Sequence, residues 1–142
     1  MKNRNGLTVM ELLVTVGVLA LLLTVLVPGL GSFLSRLEIH TALRTVTAGL
    51  SAARYQAIQD NQPVRAEVTP GCLRLCVDNG HGWQVIRSFT LSEKLSIRAN
   101  SRPVFSPLGN VSPLCTITLK NKQRSWRVVV SMYGRVKVYG SG

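Results

Sequence analysis

The feature that most restricts this chain lies at its start, in "LTVMELLVTVGVLALLLTVLVPG". From Leu7 to Val27 the run is apolar except for a single charge, Glu11. It is about 21 residues long, close to the roughly 20 that a helix needs to span a bilayer. Thr15 and Thr24 are tolerable within it, because a hydroxyl bonds a carbonyl one turn back. Pro28 then predicts a kink or break. Lys2 and Arg4 precede the run, so the positive-inside rule keeps the extreme N-terminus cytoplasmic. The "VPGLGS" that follows is a poor match to an A-x-A cleavage site, which argues for a retained anchor rather than a removed secretory signal. Glu11 is then the anomaly. A carboxylate at membrane depth costs roughly 2.5–3.5 kcal/mol on insertion scales, and the run supplies no Lys or Arg to neutralise it.

Beyond the anchor, about 108 residues remain, enough for one modest core. From Ser35 to Asn61 the text is helical, with Leu43, Val46, Leu50, Ala53 and Ala57 recurring at three and four. Arg36, Arg44 and Arg54 fall off that stripe, and Asn61 with Pro63 ends it. Alternating segments follow: "PVRAEVT", "CLRLCVD" and, across the turn "DNGHGW", "WQVIRSFTL". "NSRPVFSPLGNVSP" reads as a loop with a short strand at Val104–Phe105. "CTITLKN" and "SWRVVVSM" flank a basic connection, and "YGRVKVY" closes the chain. The expected fold class is α+β, a long N-terminal helix packed on a small antiparallel β-domain. The helix has a membrane half (7–34) and an amphipathic half opening the globular part (35–142).

Charge narrows the function. The chain carries 17 Lys and Arg against six acids, a net +11. After Glu93 there is no acid in 49 residues, while nine bases follow. A one-sign field of this kind draws polyanions: nucleic acid, anionic lipid or acidic polysaccharide. Catalysis is not indicated, since no nucleophile elbow, zincin helix, phosphate-binding loop or paired carboxylates occur. His40 reads as helix surface and His81 as turn surface; no metal or cofactor is expected. Of the three cysteines, Cys72 and Cys76 would lie about 13 Å apart on an extended strand, too far for a bridge. A disulfide, if formed, would join Cys115 to Cys72 or Cys76, unless a turn brings the latter two together; the alternative is three small apolar residues.

"GLTVME", Gly6 to Glu11, resembles the class III signal of type IV prepilins and pseudopilins. The resemblance implies a six-residue leader (1–6) removed between Gly6 and Leu7 by a membrane prepilin peptidase, which also methylates the new N-terminus. Glu11 would then be the fifth mature residue and Pro28 the twenty-second, both positions that the family favours; Leu7 stands where Phe is usual. The new α-amine of Leu7 supplies the missing cation, within one subunit or from its neighbour in a filament. That makes Glu11 an assembly residue. The helix followed by short strands, "SAARYQAIQDNQPV", and the ending "FSPLG … RVVVSMYGRVKV" resemble the FimT/GspH family of minor pilins and pseudopilins. This implies a pilin-like, two-sheet domain and a single-pass inner-membrane precursor whose periplasmic domain later joins a pilus or pseudopilus. Its partners would be other major and minor pilins or pseudopilins.

Some pilus members of that family bind DNA for natural transformation through a C-terminal G-R-x-R element. The matching positions here are Gly134, Arg135, Val136 and Lys137. Lysine in last place keeps the charge but loses the bidentate fork that suits phosphate. Alternation puts Arg135, Lys137 and Tyr139 on one face, with Gly134 supplying the turn. Arg127 and the loop bases Lys120, Lys122 and Arg124 would extend the stripe. The expected ligand is double-stranded DNA of any sequence. The alternative is a structural minor pseudopilin of a type II secretion system without DNA binding.

Overall fold

A computed structural model of the protein describes residues 8–121 and 124–141, the side chains of 26–30 and 141 excepted. Among the described residues one helix, α1 (Val9–Gln59), precedes nine strands: β1 (Val64–Thr69), β2 (Cys72–Asp78), β3 (Trp83–Thr90), β4 (Ser96–Ala99), β5 (Val104–Phe105), β6 (Val111–Ser112), β7 (Cys115–Lys120), β8 (Ser125–Val130) and β9 (Val136–Ser141). The fold is α+β with two antiparallel sheets, ordered β3-β2-β1-β5-β6 and β4-β7-β8-β9. The chain divides into two compact units between Leu37 and Glu38.

The first unit holds the start of α1. Thr8 caps it: its Oγ1 accepts from the Glu11 amide at 3.3 Å, and its carbonyl accepts from Leu12. Thr8 and Glu11 thus occupy the N-cap and N3 places of a capping box, where a carboxylate also meets the positive end of the helix dipole. Thr15 and Thr24 donate to the carbonyls of Leu12 and Leu21. Among the described residues no helix is both long and apolar enough to cross a membrane. Leu7 and the side chains of Leu26 and Val27, which close the expected apolar run at its two ends, lie outside the described residues. The fold therefore adds no support to the span read from the sequence.

The second unit contains the core. The helical stripe packs there as its spacing predicts, Val46, Leu50, Ala53 and Ala57 being fully buried, with Ile39 and Ala42 extending it. Gly49 lets the helix approach the first sheet, since a Cβ there would come within 2.4 Å of Leu73 Cδ2. The helix stops at Asn61, which takes a left-handed conformation (φ 52°) while Gln62 N–H bonds back to the Ala57 carbonyl. That five-residue reach is the Schellman closure. Val64, Ala66, Leu73, Leu75 and Phe105 line the inner face of the first sheet. Ile117, Leu119, Val128 and Val130 line that of the second. The sequence pattern missed β4 and β6; β4 pairs with β7 from Ser96↔Lys120 to Ala99↔Ile117.

The cysteines correct an expectation. All three are free thiols. Cys115 sits in the core on the inner face of β7, its Sγ donating to the Ser101 carbonyl. Cys72 and Cys76 alternate with Leu73 and Leu75, so they lie on the opposite face of β2. Cys76 is nevertheless buried, beneath Arg65, whose guanidinium stacks on Trp83 at 4.4 Å. A layer of core separates Cys115 from either partner, so the proposed bridge cannot close. Burial pushes the Cys115 thiol up, and burial followed by the Glu67 charge does the same to Cys76.

Candidate functional site

The acid-free end of the sequence folds into the whole of the second sheet, so a charge asymmetry along the chain becomes an asymmetry between faces. Period-two alternation and the strand register fix which residues share the outward face. They are Ser96 and Arg98 on β4; Thr116, Thr118 and Lys120 on β7; Ser125, Arg127 and Val129 on β8; and Lys137 and Tyr139 on β9. Arg98, Thr118, Arg127 and Tyr139 form one cross-strand row. Arg98, Lys120, Arg127 and Lys137 are exposed, and among the described residues no carboxylate occupies a strand position of this face, Glu93 lining a cavity beside Ser96 and Arg98 at its β4 edge. No two of these bases stand directly opposite one another, the arrangement in which like charges destabilise a sheet; each faces Ser96, Thr118, Ser125, Val129 or Tyr139 across the strands.

Gly134 builds the tip. Ser131 accepts from the Gly134 amide at 2.9 Å, its own amide donates to the Arg135 carbonyl, and Arg135 N–H donates to Ser131 Oγ. Gly134 has φ 70°, so the connection is a tight turn closed by a left-handed glycine, as three-residue hairpins require. Its neighbours lock it. A Cβ at Gly134 would stand 2.7 Å from the Gly109 carbonyl oxygen and 2.8 Å from Arg54 Cδ, and Val111 N–H bonds the Met132 carbonyl at 2.8 Å. Arg135 leaves this turn exposed. On its inner side a groove of about 600 Å³ runs between β9 and Arg54, Tyr55 and Ile58 of α1.

Of the residues picked from sequence, Lys120, Arg127 and Lys137 share the outward face, with Arg135 at its tip. Arg124 lies in the β7–β8 turn, where Asn121 N–H meets its carbonyl. That turn is at the opposite end of the sheet from Gly134, some 17 Å away along β8. The two basic clusters are thus joined by a diagonal through Arg127 and Lys137, not merged at one tip. Lys122, Gly6 and Leu7 lie outside the described residues. Arg98 was missed as a site residue because β4 was not recognised; the alternation of Leu95, Ile97 and Ala99 is the signal that would have found it. Glu11 is exposed in the first turn of α1. Among the described residues no group of three or more His, Cys, Asp and Glu is placed to hold a metal.

β9 ends the sheet, and one of its edges is unpaired. Because Ser131 and Arg135 form a hydrogen-bonded pair, alternation turns the backbone groups of Val136, Val138 and Gly140 away from β8.

A family model described as Type II transport protein GspH matches residues 42–134. No curated protein matches the chain. Among solved structures, the minor pseudopilin EpsH from the type 2 secretion system of Vibrio cholerae superposes with a TM-score of 0.61 at 20% identity, covering 74% of this chain and 98% of that one. The type IV minor pilin FimU of Pseudomonas aeruginosa strain PAO1 superposes with a TM-score of 0.63 at 16% identity, over 75% and 92% of the two chains. At these identities the likeness is one of fold.

Proposed function

Since the chain belongs to the family of the type II transport protein GspH, and is therefore a minor pilin or pseudopilin of an envelope filament, we propose that its second sheet is a DNA-binding face. It would serve DNA uptake by holding double-stranded DNA without regard to sequence. The observation that carries this reading is the outward β-face with Arg98, Lys120, Arg127 and Lys137 and no acid, continued by Arg135 at the tip. Such a face contacts phosphates, which position a duplex but carry no base information. The role is non-enzymatic. The subunit is delivered as a single-pass inner-membrane precursor, cut by a prepilin peptidase between Gly6 and Leu7 and methylated there. Glu11 then pairs with an α-amine during assembly with other pilins or pseudopilins, an assignment supported by the "GLTVME" pattern.

The test is fluorescence anisotropy of the full chain in detergent with duplex DNA across a salt series. Affinity should fall steeply as salt rises, with a log–log slope approaching about −4.5 if all five bases engage phosphates, at about −0.9 each. Absence of binding at low salt would remove the DNA reading. A second reading has its own support, because the matching family model is described as a type II transport protein. In that case the chain is a structural minor pseudopilin, and the basic face would bind no DNA.

A further inference from the structure

Arg135, Lys137 and Tyr139 line a second cavity on the outward face, of about 310 Å³, together with Val129, Ser131 and Tyr133. We propose that this cavity is a subsite for one unstacked nucleobase, so that the face prefers single-stranded DNA to duplex; this rests on the DNA reading above. Five observations converge. The floor is apolar, because Val129 is the cross-strand partner of Lys137. Two phenol rings stand at its rim, Tyr133 63% and Tyr139 49% exposed, far from the burial of a packing tyrosine. The volume lies at the lower bound of ligand pockets, room for one ring system and not for a helix. Two cations, Arg135 and Lys137, share the cavity, within reach of the phosphate of a nucleotide seated there.

The fifth observation is the diagonal. Lys120, Arg127 and Lys137 each lie one strand over and two residues along from the last, and Arg135 is two residues further on, in the turn just before β9. With strands about 4.8 Å apart and a rise of about 3.4 Å per residue, successive steps are about 7–8 Å. That is a line of single cations leading to an aromatic pocket. Single-stranded DNA is bound in this manner, its backbone tracked by bases while rings stack on aromatic side chains. A duplex offers the same phosphates but keeps its bases inside, where neither tyrosine reaches them.

The test uses the full chain in detergent and three labelled probes of equal length: oligo-dT, the same backbone carrying abasic sites, and a duplex. Oligo-dT should bind more tightly than either of the others at equal salt. Tyr139→Ala and Tyr133→Ala should each weaken oligo-dT binding about five-fold or more, leave duplex and abasic affinity within two-fold, and leave the salt slope unchanged. Tyr139→Trp should retain the preference. Arg135→Glu should weaken all three probes. Equal affinity for oligo-dT and the abasic strand, or tyrosine variants without effect on oligo-dT, would overturn the subsite while leaving duplex binding standing. Failure of every probe to bind would instead remove the DNA reading beneath it. Both tyrosines are largely exposed, so a thermal melt matching the parent chain confirms that a changed affinity is not a changed fold.

Discussion

Replacing Gly134 by alanine changes no charge yet should disable the tip of the basic face. Two costs add. A non-glycine residue at φ 70° pays about 1–2 kcal/mol for the left-handed conformation. The new Cβ would also meet the Gly109 carbonyl at 2.7 Å and Arg54 Cδ at 2.8 Å. The arginine can swing aside, but the carbonyl belongs to another turn and must move with its backbone. Overpacking of this kind costs about 1–3 kcal/mol, giving a total of about 2–5 kcal/mol. At about 4 °C per kcal/mol for a domain near 100 residues, the midpoint of thermal unfolding should drop by roughly 8–20 °C. Gly80→Ala calibrates the first cost alone, since Gly80 has φ 83° and nothing within 4 Å of its would-be Cβ. It should lose only about 1–2 kcal/mol. Circular dichroism melts of both variants, with duplex-DNA anisotropy on each, separate the contributions. DNA affinity should fall for Gly134→Ala only. If the two variants melt alike, the turn is not seated against Gly109 and the presentation argument fails.

Glu11→Gln should keep the helix cap, as glutamine serves equally at N3, and spare leader cleavage; its co-purification with sheared filaments should nonetheless drop sharply. Incorporation at the parent level would defeat the charge-pairing role. Gly49→Ala forces a Cβ onto Leu73 Cδ2 and should cost about 1–3 kcal/mol, read by chemical denaturation; a neutral result would mean the helix rests less closely on the sheet. Cys76 and Cys115, with thiols pushed up by burial, should alkylate slowly at neutral pH, and mass spectrometry should find no bridged pair. Because their folded pKa is raised, the native state holds the proton longer. Their contribution is fully present below the ordinary thiol range and is lost as pH rises through it, so midpoints should decline above about pH 9.

Local periodicity exposed much of this fold. The stripe from Leu43 to Ala57 gave the buried face of α1, Asn61 gave its end, and the turn at Asn79–Gly82 gave the β2–β3 hairpin. What sequence could not supply was pairing between strands. Lys120 and Arg135 were expected in one stripe, and only the register shows them at opposite ends with Arg127 and Lys137 between. β4 escaped because four residues carry too few alternations and no turn glycine marks its start, and Arg98 was lost with it. Cys76 shows a second limit: alternation assigns a face, not a depth. Its burial comes from Arg65 folding over it to reach Trp83, a contact between residues 18 apart in the chain.

The unpaired edge of β9 has a bearing on solubility. Subunits of a filament are held at high local concentration, where an open strand edge is a template for pairing with the same edge of another copy. Like charge on an edge strand discourages that pairing, and Arg135 and Lys137 put two cations there. The bases that would attract a polyanion therefore also keep identical strands apart. Substitution by alanine would remove that protection together with any ligand contact, whereas charge reversal keeps edges mutually repulsive, which makes glutamate the cleaner probe of this strand.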